Sequence, residues 1–216
     1  MRILAAAALA LAAFAAPAAA TTLVAYTSVN GDFITPDQQG FGVTGLSLTR
    51  AGGLSQIGNA NRFRSNGFAT SDLVQDAVND GDYITFGFDS SVGYDLDQLG
   101  VRFRVNGNGP QAVLAQIAVD GGAYEDVALL TPSTDQTSYL LDLSTFNNVT
   151  DADFRLIGFD AVTDNGRLIL GNTNADPFNG GSVVVTGDQV APVPLPAAGG
   201  LLLIGAGAIV ALRRKA

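Results

Sequence analysis

Residues 83–88 read Tyr-Ile-Thr-Phe-Gly-Phe, and residues 100–105 read Gly-Val-Arg-Phe-Arg-Val. In both stretches a large apolar residue stands at every second position: Ile84, Phe86, Phe88, Val101, Phe103 and Val105. A period of two indicates a β-strand with one face buried. The two stretches therefore predict half-buried strands, and Arg102 and Arg104 are expected to point away from the core.

Short apolar runs of the same kind recur along the chain. Eight more of them predict strands: Leu23–Tyr26, Val43–Thr49, Val113–Val119, Val127–Leu130, Tyr139–Leu143, Phe154–Phe159, Arg167–Leu170 and Ser182–Thr186. Asn-Gly and Asp-Gly dipeptides separate many of the runs and favour the type I′ turns of hairpins. Only Ser71–Val78 has the character of one or two helical turns. We therefore predict an all-β fold, a two-sheet β-sandwich or jelly roll.

The composition excludes several kinds of chemistry. The chain of 216 residues contains no Cys and no His. Disulfides, thiolate nucleophiles, Ser-His-Asp triads and the usual zinc sites are therefore impossible. A hydrolase would have to rely on carboxylates, Tyr, Arg or a hard metal ion, and we predict that the protein is not an enzyme.

Charge is distributed unevenly between the ends and the body. Four of the 11 cations lie in the terminal segments, so seven Arg remain against 20 acids in residues 21–196, a net charge of −13. An acidic body repels nucleic acid. No nucleic-acid partner is expected.

The N-terminal residues 1–20 have the three parts of a signal peptide. Arg2 supplies the positive region, an apolar stretch follows, and Ala18 and Ala20 form an A-x-A cleavage site. The mature chain is expected to start at Thr21. The alternatives are a short buried helix and an N-terminal anchor.

The C-terminal end predicts a membrane span. Residues 197–212 are uncharged and apolar, and as a helix they extend about 24 Å. The basic residues Arg213, Arg214 and Lys215 should remain cytoplasmic by the positive-inside rule, which leaves the body on the other side. The domain division is therefore a signal peptide at 1–20, a sandwich at 21–186, a Pro-rich spacer at 187–196, a transmembrane helix at 197–212 and a basic tail at 213–216.

A proline motif precedes this span: Val193, Pro194, Leu195, Pro196 and Ala197. Motif, span and basic cluster together resemble the C-terminal sorting signals of PEP-CTERM proteins, in the VPLPA-CTERM variant. The resemblance implies a Gram-negative host and an exosortase, a membrane transpeptidase that recognises and cuts the tail. The protein would then be anchored transiently in the inner membrane before it reaches the cell surface or the medium. A plain tail anchor with a proline hinge is the alternative.

The body carries a second resemblance. The phrases Asp82–Phe86, Gly93–Leu96, Val119–Gly122 and Phe154–Ala161 are similar in order to those of β-sandwich bodies in PEP-CTERM exported proteins. The resemblance implies the fold and no particular reaction. It also implies a surface or biofilm-matrix component that is associated with exopolysaccharide.

Carboxylates offer the first candidate site residues. Glu125 and Asp126 are adjacent, but on a strand they would point to opposite faces and could not flank one glycosidic bond. No cofactor is predicted; structural calcium stays open, because turn acids of a jelly roll can hold Ca²⁺. The acids that could converge are Asp80, Asp82, Asp120 and Asp126, or Asp160 and Asp164. The alternative is that each is a solvated turn residue.

Carbohydrate binding is the alternative function. It needs exposed aromatic rings beside polar groups, and the chain has no Trp. The available Tyr rings are Tyr26, Tyr94, Tyr124 and Tyr139, each of which could instead pack in the core. Arg102 and Arg104 could bind an acidic glycan or pair with cross-strand Asp. The main prediction is a non-enzymatic envelope or matrix component, and the alternative is a carbohydrate-binding module.

Overall fold

The computed structural model describes residues 20–27, 34–57, 63–170 and 182–190. This part of the chain contains one short helix, and the remaining regular structure is β. In chain order the elements are β1 (Thr21–Tyr26), β2 (Gln38–Gln39), β3 (Val43–Arg50), β4 (Ser55–Gln56), β5 (Arg64–Asn66), α1 (Val74–Asp80), β6 (Tyr83–Val105), β7 (Pro110–Val119), β8 (Glu125–Leu130), β9 (Thr137–Asp142), β10 (Val149–Ala161), β11 (Leu168–Leu170) and β12 (Val183–Gln189).

The predicted end signals fall mostly outside the described residues. The sorting motif 193–197, the span 197–212, the basic cluster 213–215 and Ala18 are among them. Ala20 is exposed, and Thr21 begins β1. Among the described helices none has the length and apolar character to cross a membrane.

Strand β6 belongs to both layers of the fold. Its first half pairs with β10 and β3, which places it in a sheet of order β8-β7-β10-β6-β3. Its second half pairs with β9 on one side and with β12 and β11 on the other. Strands β1 and β2 extend that second sheet beyond β12. All these pairings are antiparallel, and the predicted two-sheet sandwich is confirmed.

A β-bulge at Asp97 changes which residues of β6 point inward. Across the ladder to β12, Thr186 lies opposite Gln98 and Gly187 lies opposite Leu96, so Asp97 is an extra residue. The large buried side chains of β6 are even-numbered up to Leu96 and odd-numbered afterwards: Ile84, Phe86, Phe88, Tyr94, Leu96, Leu99, Val101, Phe103 and Val105. The bulge therefore lets one strand bury an apolar face in each half.

The main core lies between the sheets and is rich in aromatic rings. Phe86 and Phe154 lie opposite each other on β6 and β10, and their rings stack with centroids 5.2 Å apart. The Tyr26 ring meets Phe86 edge-on at 6.0 Å. All three side chains are almost completely buried. Each such side chain contributes roughly 1.5–3 kcal/mol relative to an exposed one.

A second, smaller apolar cluster lies beneath α1. Ala77 of the helix packs with Leu114 and Ile157, which lie on the outer face of the first sheet. The helix ends at Gly81, whose φ of 80° is the left-handed conformation that glycine adopts without strain. The predicted helical turns at 71–78 are thus realised as α1, which covers one end of that outer face.

All ten predicted strands overlap observed ones, with three differences. The stretches 83–88 and 100–105 are parts of one strand, β6. Strand β12 continues to Gln189, three residues into the predicted spacer, because residues 187–189 pair with β6. The short strands β2, β4 and β5 were not predicted, since two or three residues carry no periodic signal.

Candidate functional site

Polar side chains lie side by side on the outer face of the first sheet. On β10, Arg155 is opposite Thr85 of β6 and Gln116 of β7. Two residues earlier on the same face is Asp153, and two before that is Asp151. Because directly paired residues project from the same face of a sheet, β6, β10 and β7 gather these groups on one surface. The end of the face that α1 leaves uncovered is therefore polar.

Tyr124 reaches this surface from the hairpin between β7 and β8. The turn has positive φ at both central residues, 50° at Asp120 and 71° at Gly121. The Gly122 N–H donates to the Val119 carbonyl at 2.8 Å, which closes a type I′ turn as the Asp-Gly dipeptide predicted. The chain then returns toward the sheet with Tyr124 ahead of β8.

Asp120 fixes this turn to the start of β10. Its Oδ1 accepts hydrogen bonds from the Thr150 N–H (2.9 Å), the Thr150 hydroxyl (2.8 Å) and the Asp151 N–H (3.1 Å). The bonds from Thr150 and Asp151 hold the pKa of Asp120 below its usual value. The hairpin that carries Tyr124 is therefore held against β10.

Arg155 is the centre of the surface. Its guanidinium carbon is 3.9 Å from the centroid of the Tyr124 ring and 5.5 Å from that of Tyr83. Its Nε donates to Gln116 Oε1 at 2.6 Å, and Gln116 Nε2 in turn donates to Asp126. The cation–π contacts and these hydrogen bonds fix the guanidinium and the ring in one arrangement. Tyr124 keeps 37% of its surface exposed.

Three carboxyl groups, those of Asp89, Asp151 and Asp153, border Tyr124 and Arg155. Asp151 lies opposite Asp89, and Asp153 lies opposite Gly87. Burial, followed by a hydrogen bond with the Asp89 carboxyl and by the charges of Asp153 and Asp89, raises the pKa of Asp151 to about 6. Burial and the charge of Asp89 also raise the pKa of Asp153. The surface therefore presents the exposed Tyr124 ring, which stacks on the Arg155 guanidinium. The bordering carboxyl groups accept hydrogen bonds and give the surface an excess of negative charge. We name it the Tyr124 surface: Tyr83, Asp89, Gln116, Tyr124, Asp151, Asp153 and Arg155.

The other candidate Tyr rings serve the fold. Tyr26 and Tyr94 are buried. Tyr139 stacks on Phe103 at 4.9 Å and donates its hydroxyl to the Thr131 carbonyl at 2.8 Å. Only Tyr124 among the four predicted rings is exposed at a polar surface.

Arg155 and the flanking acids were not recognised from the sequence. Residues 151–155 read Asp-Ala-Asp-Phe-Arg, with Ala152 and Phe154 buried. The alternation itself shows that Asp151, Asp153 and Arg155 share the opposite face. That signal was available, but nothing local indicates that β7 and its hairpin lie beside it.

Arg102 and Arg104 point away from the core, as predicted. They lie on the second sheet, opposite Ser138 of β9 and Ile169 of β11. The expected pairing with cross-strand Asp is not seen in the described part of the chain. The Nε of Arg102 is buried there without a hydrogen-bond partner.

Glu125 and Asp126 do not form a catalytic pair. Glu125 is opposite Ile117 and Asp126 is opposite Gln116, so the two side chains leave opposite faces of β8, as the strand assignment predicted. Both are exposed. Asp126 accepts the hydrogen bond from Gln116.

Acids also collect in a cleft of about 520 Å³ beside α1. Its lining includes Asp76, Asp80, Asp82 and Asp164. Asp82 is 3% exposed, and burial raises its pKa to about 6 against a hydrogen bond from the backbone of Ala69. Ser71 donates its hydroxyl to Asp76 at 2.6 Å.

The acids named for calcium do not all converge. Asp80, Asp82 and Asp164 share the cleft, whereas Asp120 and Asp126 lie on the β7–β8 hairpin and Asp160 is exposed near the end of β10. Across the ranges that the structure describes, no three acidic side chains are placed so that they could hold a metal ion.

Comparison with known proteins gives only distant structural similarity. No protein-family model matches the chain, and no curated protein matches its sequence. Among solved structures it is similar to a family 29 carbohydrate-binding module in complex with mannohexaose, with 15% identity and a TM-score of 0.43 over 81% of this chain and 99% of that one. A complex of such a module with cellulohexaose gives 15% identity and a TM-score of 0.42 over 79% and 91%. At this distance the similarity does not indicate what the present chain binds.

Proposed function

We propose that the sandwich is a non-catalytic glycan-binding module, and that it serves an exported envelope or matrix protein. The observation that carries the proposal is the exposed Tyr124 ring stacked on Arg155 beside Asp89, Asp151 and Asp153. Sugar-binding sites combine an aromatic face, which packs on the C–H face of a pyranose, with polar groups that fix orientation. Carboxylates are strong acceptors for sugar hydroxyl groups.

The fixed position of the ring favours binding over adventitious exposure. Asp120 holds the hairpin to β10. Gln116 holds Arg155, whose guanidinium lies against the Tyr124 ring. Little side-chain freedom is then lost when a ligand packs on Tyr124, which lowers the entropic cost of binding. The excess negative charge favours neutral sugars over uronates at this surface.

The same surface is unsuited to glycoside hydrolysis. Asp89 and Asp151 are directly paired across the ladder, and their carboxyl groups are close enough for Asp89 to raise the pKa of Asp151. A retaining glycosidase needs its two carboxyl groups roughly 5 Å apart, and an inverting one needs more. Glu125 and Asp126 diverge. A non-enzymatic role therefore agrees best with these geometries and with the absence of His and Cys from the sequence.

The test is calorimetric titration of the full chain, held in a non-glycosidic detergent, with neutral and uronate-containing oligosaccharides. Neutral oligosaccharides are expected to bind, and Tyr124→Ala should weaken binding by roughly tenfold, equivalent to about 1.4 kcal/mol. Phe41→Ala, which removes another exposed aromatic ring, is the matched control and should bind as the parent does. If no sugar gives a measurable heat of binding, a purely structural matrix component is the better description of the protein.

The route to the envelope is a second part of the proposal and rests on the sequence. A signal peptide at 1–20, the motif 193–197, the apolar span and the basic cluster support export, transient anchoring in the inner membrane and cutting of the tail by an exosortase-type enzyme. Intact-mass measurement on protein from the native host tests this. A chain that starts at Thr21 and ends near 193–197 supports the proposal, whereas a chain that still carries Ala216 supports a plain anchor.

A further inference from the structure

Phe41 stands at the tip of a tight turn between β2 and β3. The Val43 N–H donates to the Gly40 carbonyl at 3.2 Å, which places Phe41 and Gly42 at the two corners of a β-turn. Gly42 has a φ of 67°, as the second corner of a type II turn requires. The Phe41 side chain is 79% exposed, the largest exposure among the large hydrophobic residues in the described part of the chain.

The turn is fixed to the point where the chain leaves the sandwich. Tyr94 donates its hydroxyl to the Phe41 carbonyl at 2.5 Å, and Tyr94 is the residue of β6 that lies opposite Gln189, the last residue of β12. The next residue, Val190, donates its N–H to Gly93 at 2.9 Å. Ser91 donates its N–H to the Gly42 carbonyl at 3.1 Å. Phe41 and the exit of the chain therefore lie at the same end of the sandwich.

The segment between this exit and the predicted span is short. Residues 191–196 separate Val190 from the predicted span at 197, and an extended Pro-rich segment of six residues reaches about 19 Å. The turn itself is also uncharged: residues 38–49 and 90–94 contain no Asp, Glu, Lys or Arg, and the flanking charges are Asp37, Arg50, Asp89 and Asp95. An uncharged tip can approach a bilayer without the desolvation of a charged group.

We propose that Phe41 inserts into the interfacial region of the membrane and so docks this end of the sandwich on the lipid surface while the tail is still attached. Trp and Tyr are enriched at bilayer interfaces, and Phe occurs on the apolar face of segments that lie in the interface. One Phe binds a free bilayer weakly, but a short tether makes the second contact intramolecular and raises its effective concentration. The inference rests on the membrane-anchored state in the proposed function and is independent of glycan binding.

The absence of Trp from the chain allows a direct test. Phe41→Trp places one tryptophan at the tip. Leu73→Trp places one at an exposed position just before α1, near the opposite end of the first sheet, where the Asp160 N–H donates to the Ser71 carbonyl at 2.8 Å. Tyr83, where β6 begins at that end, is about 25 Å along the strand from Ser91. Each full-length variant is reconstituted through its own tail into phosphatidylcholine vesicles, with and without brominated acyl chains. Because both positions are exposed, each variant should melt as the parent does.

The Phe41→Trp variant is expected to show blue-shifted emission that brominated lipid quenches, while the Leu73→Trp variant stays quenchable by aqueous acrylamide alone. If the protein floats with vesicles but bromine leaves the Phe41→Trp emission unchanged, the docking is refuted and the anchor stands. Equal bromine quenching of both variants also refutes it, because the sandwich would then have no fixed end toward the bilayer. If the protein does not float, the anchoring fails and the inference fails with it, whereas sugar titrations remain unaffected.

Discussion

Asp151 lies directly opposite Asp89 across the ladder of β10 and β6, so the two carboxyl groups project side by side from the same face of the sheet. Like charges in this position are unfavourable when both groups are ionised. Burial, followed by the neighbouring Asp89 carboxyl and the charge of Asp153, raises the pKa of Asp151 to about 6. The Tyr124 surface is consequently less stable when Asp151 is ionised than when it is protonated.

Asp151→Asn should therefore stabilise the protein at pH 7.5 and have little effect at pH 4. The raised pKa means that the folded state binds the proton more tightly than the unfolded chain, so stability from this group is present below about pH 4 and is lost as pH rises through about 6. The amide mimics the protonated acid and removes that loss. We expect a rise in Tm of at most about 4 °C at pH 7.5, since the pair is partly solvated.

Asp142→Asn is the control of opposite sign. Hydrogen bonds from the Ser144 hydroxyl and N–H lower the pKa of Asp142, so its stabilising effect is present above the unfolded pKa and lost as pH falls. This substitution should lower Tm at pH 7.5. Thermal melts of both variants at the two pH values check the pair. Shifts of the same sign at pH 7.5 would contradict the assignment.

Arg155→Met should weaken glycan binding while leaving the sandwich folded. Methionine keeps much of the apolar stem but removes the guanidinium that lies under Tyr124 and binds Gln116. We expect an affinity loss of roughly tenfold, about 1.4 kcal/mol, and a change in tyrosine fluorescence, which no Trp obscures. Arg155→Lys should recover only part of the affinity because lysine lacks the planar fork. Unchanged titrations for Arg155→Met would show that Arg155 does not position the ring.

Asp120→Ala should destabilise the hairpin that carries Tyr124. It removes one carboxylate oxygen that accepts three hydrogen bonds from Thr150 and Asp151. The alanine would also have to adopt a φ of 50°. We expect a loss of about 2–3 kcal/mol in the free energy of unfolding by urea. Asp120→Asn keeps an acceptor and tolerates the left-handed conformation, so its cost should be clearly smaller; equal costs would argue against the hydrogen bonds as the cause.

Gly81→Ala should destabilise the end of α1, whereas Gly107→Ala should not. At Gly81 the φ is 80° and an added Cβ would lie 3.0 Å from the Gly53 nitrogen. At Gly107 no atom lies within 4 Å of an added Cβ. We expect a cost of at least about 1 kcal/mol for the first change and nearly none for the second, measured by urea unfolding. A neutral Gly81→Ala would mean that the helix end relaxes at no cost.

Chelation should leave the melting transition of the protein unchanged. The acids of the cleft beside α1 are partly engaged with protein groups, and the described residues bring no three carboxylates together as a metal would need. Melts with excess EDTA and with millimolar Ca²⁺ provide the measurement. A rise in Tm with Ca²⁺ that EDTA reverses would restore the calcium hypothesis and point to the cleft.

The positions of the strands could be predicted from the sequence because alternating apolar residues indicate a strand with one buried face. The union of 83–88 and 100–105 into β6 was not predicted, since Ser90 interrupts the alternation of large apolar residues that runs through Ile84, Phe86 and Phe88. The bulge at Asp97 could not be predicted for a similar reason. There the inward positions change from even to odd numbers, which interrupts the alternation, and the cause of that change is visible only in the pairing of β6 with β12. The helix was located to within a few residues.

The candidate surface was predictable only in pieces. Tyr124 was named as an available ring, and the alternation in 151–155 contained the rest of the signal. Their meeting depends on the strand order β8-β7-β10 and on a hairpin that folds back over the sheet. The sequence gives no information about this strand order or about the direction in which the hairpin folds, because both are decided by the packing of the whole sandwich.

The continuity of β6 has a mechanical consequence. Asp89, on the Tyr124 surface, and Tyr94, which holds the Phe41 turn and faces the last residue of β12, are five residues apart on one strand. No loop intervenes between them. Tension between a polysaccharide held at the surface and a membrane that holds the tail would therefore pass through backbone that is hydrogen-bonded to neighbouring strands. The sandwich would transmit such a load as a stiff link with little slack.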